Sequence, residues 1–453
     1  MTRLACMITT LNLLLSSAPT HAGSQPAQVS LDVALANPTL LMASRQTTYL
    51  KVGLHGVRPA SDGPRPPVNI ALVLDKSGSM NGSKLAQAKN AAIRSLDMLN
   101  DNDIISVIVY DTSVRVIVPA TKLTDKQMVV QAIQSINADG NTALFAGVSK
   151  GAAEIRKFID RKRVNRVILL SDGLANEGPS SPGMLGDLGA SLMKEGIAVS
   201  TLGLGLDYNE DLMYQLAYRS DGNHVFVEEA TELASVFTRE FQDVLSVVAQ
   251  EIAMTIRCAP GIRPVRLLGI DGEISGQEVV VRLNQLYGGQ EKYALLEIEV
   301  PESQSPDPRH VAGVEVAFAE MKTGATQRLT ANADVNFDAS ASVVQNRVND
   351  KVMTECVLQI ANERNALATV LRDEGKLEQA KDVLMGNCKY LADNAQQLKS
   401  ELLQKRAEVN REQSQNLDGK DWDRTRKDMR SGQYNDGRGG SYKNDPPAQE
   451  PAK

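Results

Sequence analysis

Three short stretches hold residue types that could do chemistry together. Asp75-Lys76-Ser77-Gly78-Ser79 follows a strand-like run at 68–74, Gly140-Asn141-Thr142 opens a helical stretch, and Ser171-Asp172-Gly173 closes a second strand-like run at 166–170, apolar over 167–170. Asp75, Ser77, Ser79, Thr142 and Asp172 are all hard oxygen donors, with no sulfur or imidazole among them. Such a set suits Mg²⁺ or Ca²⁺ better than zinc. A divalent ion held by two carboxylates and neutral hydroxyls stays electrophilic and keeps a position open, and that position fits a carboxylate donated by another protein. Taken alone, Asp75, Ser77 and Ser79 would read as caps for the helix starting near Lys84. The metal reading therefore needs elements that carry all three stretches to one edge.

Residues 68 to about 247 provide such elements. Short β-rich runs at 68–74, 104–110, 115–118, 166–170, 198–204 and 224–227 alternate with helical stretches at 84–98, 125–136, 144–158, 184–195, 210–218 and 231–245. Fully apolar runs such as 167–170 are strands buried on both faces, so the alternation predicts a doubly wound, mostly parallel sheet covered by helices. Runs 104–110 and 115–118 are too close for a crossover helix and should form an antiparallel edge hairpin. In an open parallel sheet the strand C-termini share one edge, where ligands bind.

Beyond Val248 the hydrophobic period becomes two, as in Val314, Val316 and Phe318, which predicts an antiparallel β-sandwich over 248–342. The runs in 29–56 look alike, and two strands do not make a stable sheet alone. The economical arrangement is one sandwich, begun in 23–67 together with a proline-rich linker and interrupted by the α/β domain at 68–247. Residues 343–410 return to helical spacing and read as a helical hairpin turning at 373–375. Residues 411–453 are poor in apolar side chains and read as a disordered tail, with Trp422, Tyr434 and Tyr442 loose within it.

With those residues in place, the sequence resembles the von Willebrand factor type A domain over 68 to about 247. Asp75, Ser77 and Ser79 match the first loop of that family's metal-ion-dependent adhesion site, Thr142 the second and Asp172 the third; Lys76 falls on a variable position. The interrupted sandwich also resembles bacterial exported relatives of inter-alpha-trypsin inhibitor heavy chains and of calcium-activated chloride channel proteins. The resemblance implies a non-catalytic protein-binding module using Mg²⁺, with Mn²⁺ or Ca²⁺ as alternatives, and a partner that offers a carboxylate. It also implies that helix 231–245 shifts when the site engages a ligand.

Composition bounds the remaining readings. The chain has 453 residues, 42 % apolar and 4 % aromatic, with 49 basic against 55 acidic side chains and a net charge of −6. That balance argues against a nucleic-acid binder. Residues 1–22 have a basic start, an apolar stretch and a small-residue end at Thr20-His21-Ala22, the pattern of a signal peptide, so the protein is expected to be exported to the periplasm, cell envelope or medium. No later apolar run is long enough to span a bilayer. Three cysteines follow the leader, Cys258, Cys356 and Cys388. The last two either bridge across the hairpin, the reading favoured here, or stay as buried thiols.

Enzymatic readings fail on missing groups. A haloacid-dehalogenase-type phosphotransferase needs a second acid where Ser77 stands, no Gly-x-Ser-x-Gly elbow surrounds Ser77 or Ser79, and His224 sits on a strand where a structural role suffices. The acid-rich loop 207–211 reads as a solvated helix start. Two functions remain: a metal-dependent adhesion-type module, or an assembly subunit of an envelope complex in which the metal site is secondary. Chelation separates them, because only the first loses its partner.

Overall fold

The computed structural model describes residues 28–58, 65–419 and 421–438, and the backbone of 440–441. The signal-peptide reading of 1–22, most of the proline-rich linker and Tyr442 lie outside the described residues.

The chain opens with β1 (Val29–Leu35), β2 (Thr39–Leu41) and β3 (Gln46–Gly56). It then enters the α/β unit: β4 (Val68–Asp75), α1 (Ser83–Ser95), β5 (Ile104–Tyr110), β6 (Val114–Lys122), α2 (Lys126–Gln134), α3 (Leu144–Arg156), β7 (Val164–Ser171), α4 (Pro182–Lys194), β8 (Ile197–Leu204), α5 (Glu210–Ser220), β9 (His224–Val227) and α6 (Leu233–Leu245). The strand order is β6-β5-β4-β7-β8-β9, with β6 antiparallel to β5 and the other neighbours parallel. Every residue of β4, β5, β7 and β8 is buried, because helices cover both faces of the sheet. Leu85, Ala88, Ala91 and Ala92 of α1 and Leu233, Phe237, Phe241 and Val244 of α6 fill one side. Leu144, Val148 and Ile155 of α3 and Leu185 and Leu192 of α4 fill the other. After β4 the chain winds to one side of the sheet and later to the other, so the crevice where strand order reverses lies beyond Asp75 and Ser171.

The sandwich follows with β10 (Val247–Cys258), β11 (Arg263–Leu268), β12 (Glu273–Ser275), β13 (Glu278–Tyr287), β14 (Glu291–Val300), β15 (Arg309–Glu320) and β16 (Thr326–Asp338). Its two sheets run β1-β3-β14-β11 and β12-β13-β10-β15-β16-β2. β3 pairs with β14 over its whole length, from His55 opposite Glu291 to Gln46 opposite Val300. Strands on either side of the α/β unit therefore share one sheet. Alternate residues close the core, among them Leu50, Val52 and Leu54 against Ile252, Met254, Ile256, Val314 and Val316. One pairing departs from the antiparallel rule: β2 runs parallel to residues 336–338 of β16.

The C-terminal region departs further from expectation. α7 (Ala341–Asn346) leads into α8 (Asp350–Asp373) and α9 (Leu377–Leu398), a helical hairpin whose turn uses Gly375 at φ +77°. Two more helices follow, α10 (Glu401–Asn416) and α11 (Trp422–Gly437), and the backbone of β17 (Gly440–Ser441) pairs with β14. The disordered-tail reading is therefore corrected through residue 438. Met429 and Tyr434 are buried, and the Trp422 ring lies under the Arg372 guanidinium at 4.8 Å.

The favoured disulfide is also corrected, because Cys258, Cys356 and Cys388 are all free and buried. α9 runs unbroken through Gly386 and Asn387, so nothing absorbs the axial offset between the two helical cysteines. Cys356 faces the sandwich among Leu268, Tyr293 and Leu295, whereas Cys388 packs among Val357, Leu391 and Leu403 of the helices. Alkylation of the denatured, unreduced protein followed by peptide mass mapping should label all three positions. A disulfide-linked 356–388 peptide would contradict this packing.

Candidate functional site

β4 and β7 deliver Asp75 and Asp172 to one sheet edge, and short loops deliver the hydroxyls. The Asp75 carboxylate accepts from the Ser77 amide at 2.8 Å and from the Ser171 hydroxyl at 2.8 Å, which closes the first loop over its own strand end. Ser79 Oγ donates to Asp172 Oδ1 at 2.6 Å and lies 3.0 Å from Ser77 Oγ. The second loop is laced to the first: the Gly78 amide donates to the Gly140 carbonyl at 3.0 Å, and the Asp139 amide to the Lys76 carbonyl at 2.7 Å. Gly140 holds φ +74°, and a Cβ there would stand 2.8 Å from Thr112 Oγ1, so only glycine fits this crossing. Thr142 is set by its amide donating to Asn176 Oδ1 at 2.9 Å.

The five residues singled out in the sequence thus meet. Gly173 marks the centre of their hydroxyls, since a Cβ placed on it would lie 3.2 Å from Thr142 Oγ1, 3.3 Å from Ser79 Oγ and 4.0 Å from Ser77 Oγ. Among the described residues, no three His, Cys, Asp or Glu side chains gather to hold a metal. Any cation here would be held by two carboxylates and three hydroxyls. Both carboxylates are fully buried. Burial pushes the Asp75 carboxyl up to about 6, with the Asp172 charge adding to the rise and the bonds from Ser77 and Ser171 opposing it. Two buried anions side by side, with a cradle of oxygen lone pairs kept clear by a glycine, form a donor set that fits a hard divalent cation.

Cationic side chains sit close by. Lys84 of α1 reaches Asp172 Oδ2 at 2.6 Å, and Lys76 pairs with Asp111 on the next loop. The Lys76 pairing, with bonds from Ser113, outweighs burial and holds Asp111 below the ordinary carboxylate range. Lys84 was not legible from the strand-end motif. Its place in the first turn of the helix that follows that motif is the signal that could have found it.

Sequence reasoning also missed a second wall. A cleft of about 820 Å³ opens over Ser77, Ser79, Thr142 and Gly173, and its far side is formed by residues 207–211, Asp373 and the start of α11. Loop 207–211 is indeed a helix start, with Asn209 capping α5, yet it is not simply solvated. Glu210 is buried and pairs with both Arg426 and Lys427, the latter at 2.8 Å. Arg426 also reaches Asp211 at 2.5 Å and Asp373 at 2.8 Å. Farther along α11, Tyr434 Oη donates to the Gly222 carbonyl at 2.5 Å. The missed signal is the cationic spacing Arg426, Lys427 and Arg430 facing an acidic loop remote in sequence.

His224 lies beneath this contact, edge-on to the Tyr434 ring at 5.6 Å. Thr201 Oγ1 donates to the Met213 carbonyl, so it accepts from His224 Nδ1 at 2.9 Å, and Nε2 is left with no partner among the described residues. Burial pushes the imidazole down to about 4, outweighing the opposing effect of Glu210 and Asp211. Between pH 4 and 6.5 the unfolded chain therefore binds the extra proton, and stability should rise with pH across that window by up to about 3 kcal/mol. Urea midpoints measured against pH for the wild type and His224→Gln should show that rise shrinking in the variant. Parallel curves would contradict the buried neutral ring.

Comparison with known proteins identifies the family and the fold. Residues 69–239 match the family model described as the von Willebrand factor type A domain. The uncharacterized protein sll0103 of a Synechocystis species is 28 % identical over 277 residues, which cover 59 % of this chain and 65 % of that one. Mouse inter-alpha-trypsin inhibitor heavy chain H3 is 27 % identical over 168 residues, covering 35 % of this chain and 19 % of its own. The chain thus spans less than two thirds of the length of either relative. Among solved structures, a von Willebrand factor type A protein from Catenulispora acidiphila superposes with a TM-score of 0.69 at 15 % identity, covering 86 % of this chain and 90 % of that one, a likeness of fold.

Proposed function

Because residues 69–239 are a von Willebrand factor type A domain, a fold generally used for protein–protein interaction and not for catalysis, we propose that this chain is an exported, metal-dependent adhesion-type module. Asp75, Ser77, Ser79, Thr142 and Asp172 hold a divalent cation, Mg²⁺ in the first instance with Mn²⁺ or Ca²⁺ as alternatives. A bound Mg²⁺ supplies a Lewis-acidic centre with a position open to a partner's carboxylate. Around it the chain's own residues position and orient: Ser171 and the Ser77 amide fix Asp75, Ser79 fixes Asp172, and Asn176 fixes Thr142. The observation that carries this reading is the convergence of three hydroxyls around Gly173, with the buried carboxylate of Asp172 bonded to Ser79 and that of Asp75 bonded to the Ser77 amide at the same sheet edge. Export rests on the leader pattern of residues 1–22. No helix among the described residues is long and apolar enough to cross a membrane.

The experiment is retention of protein partners from an envelope extract on the immobilised chain, in Mg²⁺ and then in EDTA. Partners released by chelator and recovered by Mg²⁺ support the adhesion module. Partners held equally in both would favour an assembly subunit instead.

A further inference from the structure

The cleft over the cation-binding residues has two walls, and only one belongs to the α/β domain. The other is the start of α11 together with Asp373, fastened to loop 207–211 by Arg426 and Lys427. Those two cations are spent on that fastening: the Lys427 side chain is 4 % exposed and that of Arg426 16 %, and both are paired with Glu210, with Asp211 and Asp373 also on Arg426. What the cleft presents to an incoming chain is therefore different in sign. Asp207 and Asp423, one on each wall, line it and are exposed. Leu174, 60 % exposed, and Leu206, 43 % exposed, add apolar surface to the same lining.

We propose that the second wall makes this a composite docking cleft whose occupant is an extended protein segment with an acidic residue flanked by lysine or arginine. The inference rests on the metal reading of the site and adds to it the identity of the neighbours. The acid goes to the cation on the floor, and its basic neighbours pair with Asp207 on the domain side and Asp423 on α11. Charge complementarity of this kind sets specificity more than raw affinity, because like charges placed against a wall are rejected. A segment whose acid is flanked by further acids would meet Asp207 and Asp423 and be excluded. α11 thus becomes part of the recognition surface, although residues 422–437 lie nearly two hundred positions beyond the domain they complete.

The test is a peptide array in which each member carries one central aspartate with varied neighbours, probed with the full chain in Mg²⁺. Retention of peptides with basic neighbours should exceed that of peptides with acidic neighbours about tenfold. The double variant Asp207→Asn/Asp423→Asn, which changes only exposed side chains, should lose that preference while still requiring the central aspartate and Mg²⁺. Absence of a preference for basic neighbours, or a preference that survives in the double variant, would overturn the composite cleft while leaving the metal site standing. Retention that ignores the central aspartate or persists in EDTA, or no retention of any aspartate peptide, would instead overturn the metal reading itself.

Discussion

Asp75→Ala is expected to reduce Mg²⁺-dependent partner binding about 100-fold or more while leaving the fold in place. Removing groups that merely support a metal ligand costs about 10- to 100-fold in affinity, and Asp75 is proposed as a ligand itself. The fold should survive because Asp75 is a buried anion that gains little from its surroundings, as its pKa raised to about 6 indicates. Its loss frees two donors, the Ser77 amide and the Ser171 hydroxyl, at a cost of about 1–3 kcal/mol each, offset in part by the removal of an unfavourably buried charge. Binding in Mg²⁺ by surface plasmon resonance and a thermal melt separate the two effects. Normal binding would remove Asp75 from the site, and an unfolded variant would make the site structural.

The second large effect is expected far from that edge, where the α/β unit meets the sandwich. Arg166 of β7 is fully buried and donates to Ser200 Oγ at 2.7 Å, Gln285 Oε1 at 2.5 Å and Tyr287 Oη at 2.6 Å. Its counter-charge is Glu240 of α6 at 3.4 Å, which also accepts from Asn223 at 2.7 Å. Glu240→Leu strands the guanidinium without a charge partner and should destabilise the protein by about 3–5 kcal/mol in urea unfolding. Adding Arg166→Met should recover most of that loss, because the stranded charge and not the missing pair carries the cost. Additive destabilisation in the double variant would contradict this. The same network ties α6 to β7, β8 and β13, so any sliding of α6 on ligand engagement must break bonds to Glu240. Hydrogen exchange over 231–257 with and without Mg²⁺ and a carboxylate ligand reads that coupling, and unchanged protection would mean that the network holds.

The strands and the site edge were legible because they depend on local signals. A run such as 167–170 reads as a strand covered on both faces, and donors placed just past such strands must share an edge in a parallel sheet. The sandwich was legible from its period of two, apart from the short parallel pairing of β2 with β16. α11 and the end of α10, which lie beyond the helical reading of 343–410, were not legible, because α11 carries few apolar side chains. α11 offers Met429 and Tyr434 to the interior, bonds through Gln433 to Asn365 and Thr369, and pairs Lys427 and Arg430 with Glu210 and Asp211, which lie more than two hundred residues earlier. A composition that looks disordered in isolation becomes ordered once those partners are folded beside it. The cysteines failed for a related reason: spacing along two helices says how far apart they lie, but not that one faces the sandwich and the other the helices.

The proposed cation site comprises Asp75, Asp172 and the three hydroxyls beside Gly173. Mn²⁺ binding to the full chain, followed by electron paramagnetic resonance and competed with Mg²⁺, tests it most directly. One Mn²⁺ per chain, displaced by Mg²⁺ and lost in both Asp75→Ala and Asp172→Ala, is the predicted result. No bound Mn²⁺, or binding that both variants retain, would contradict it.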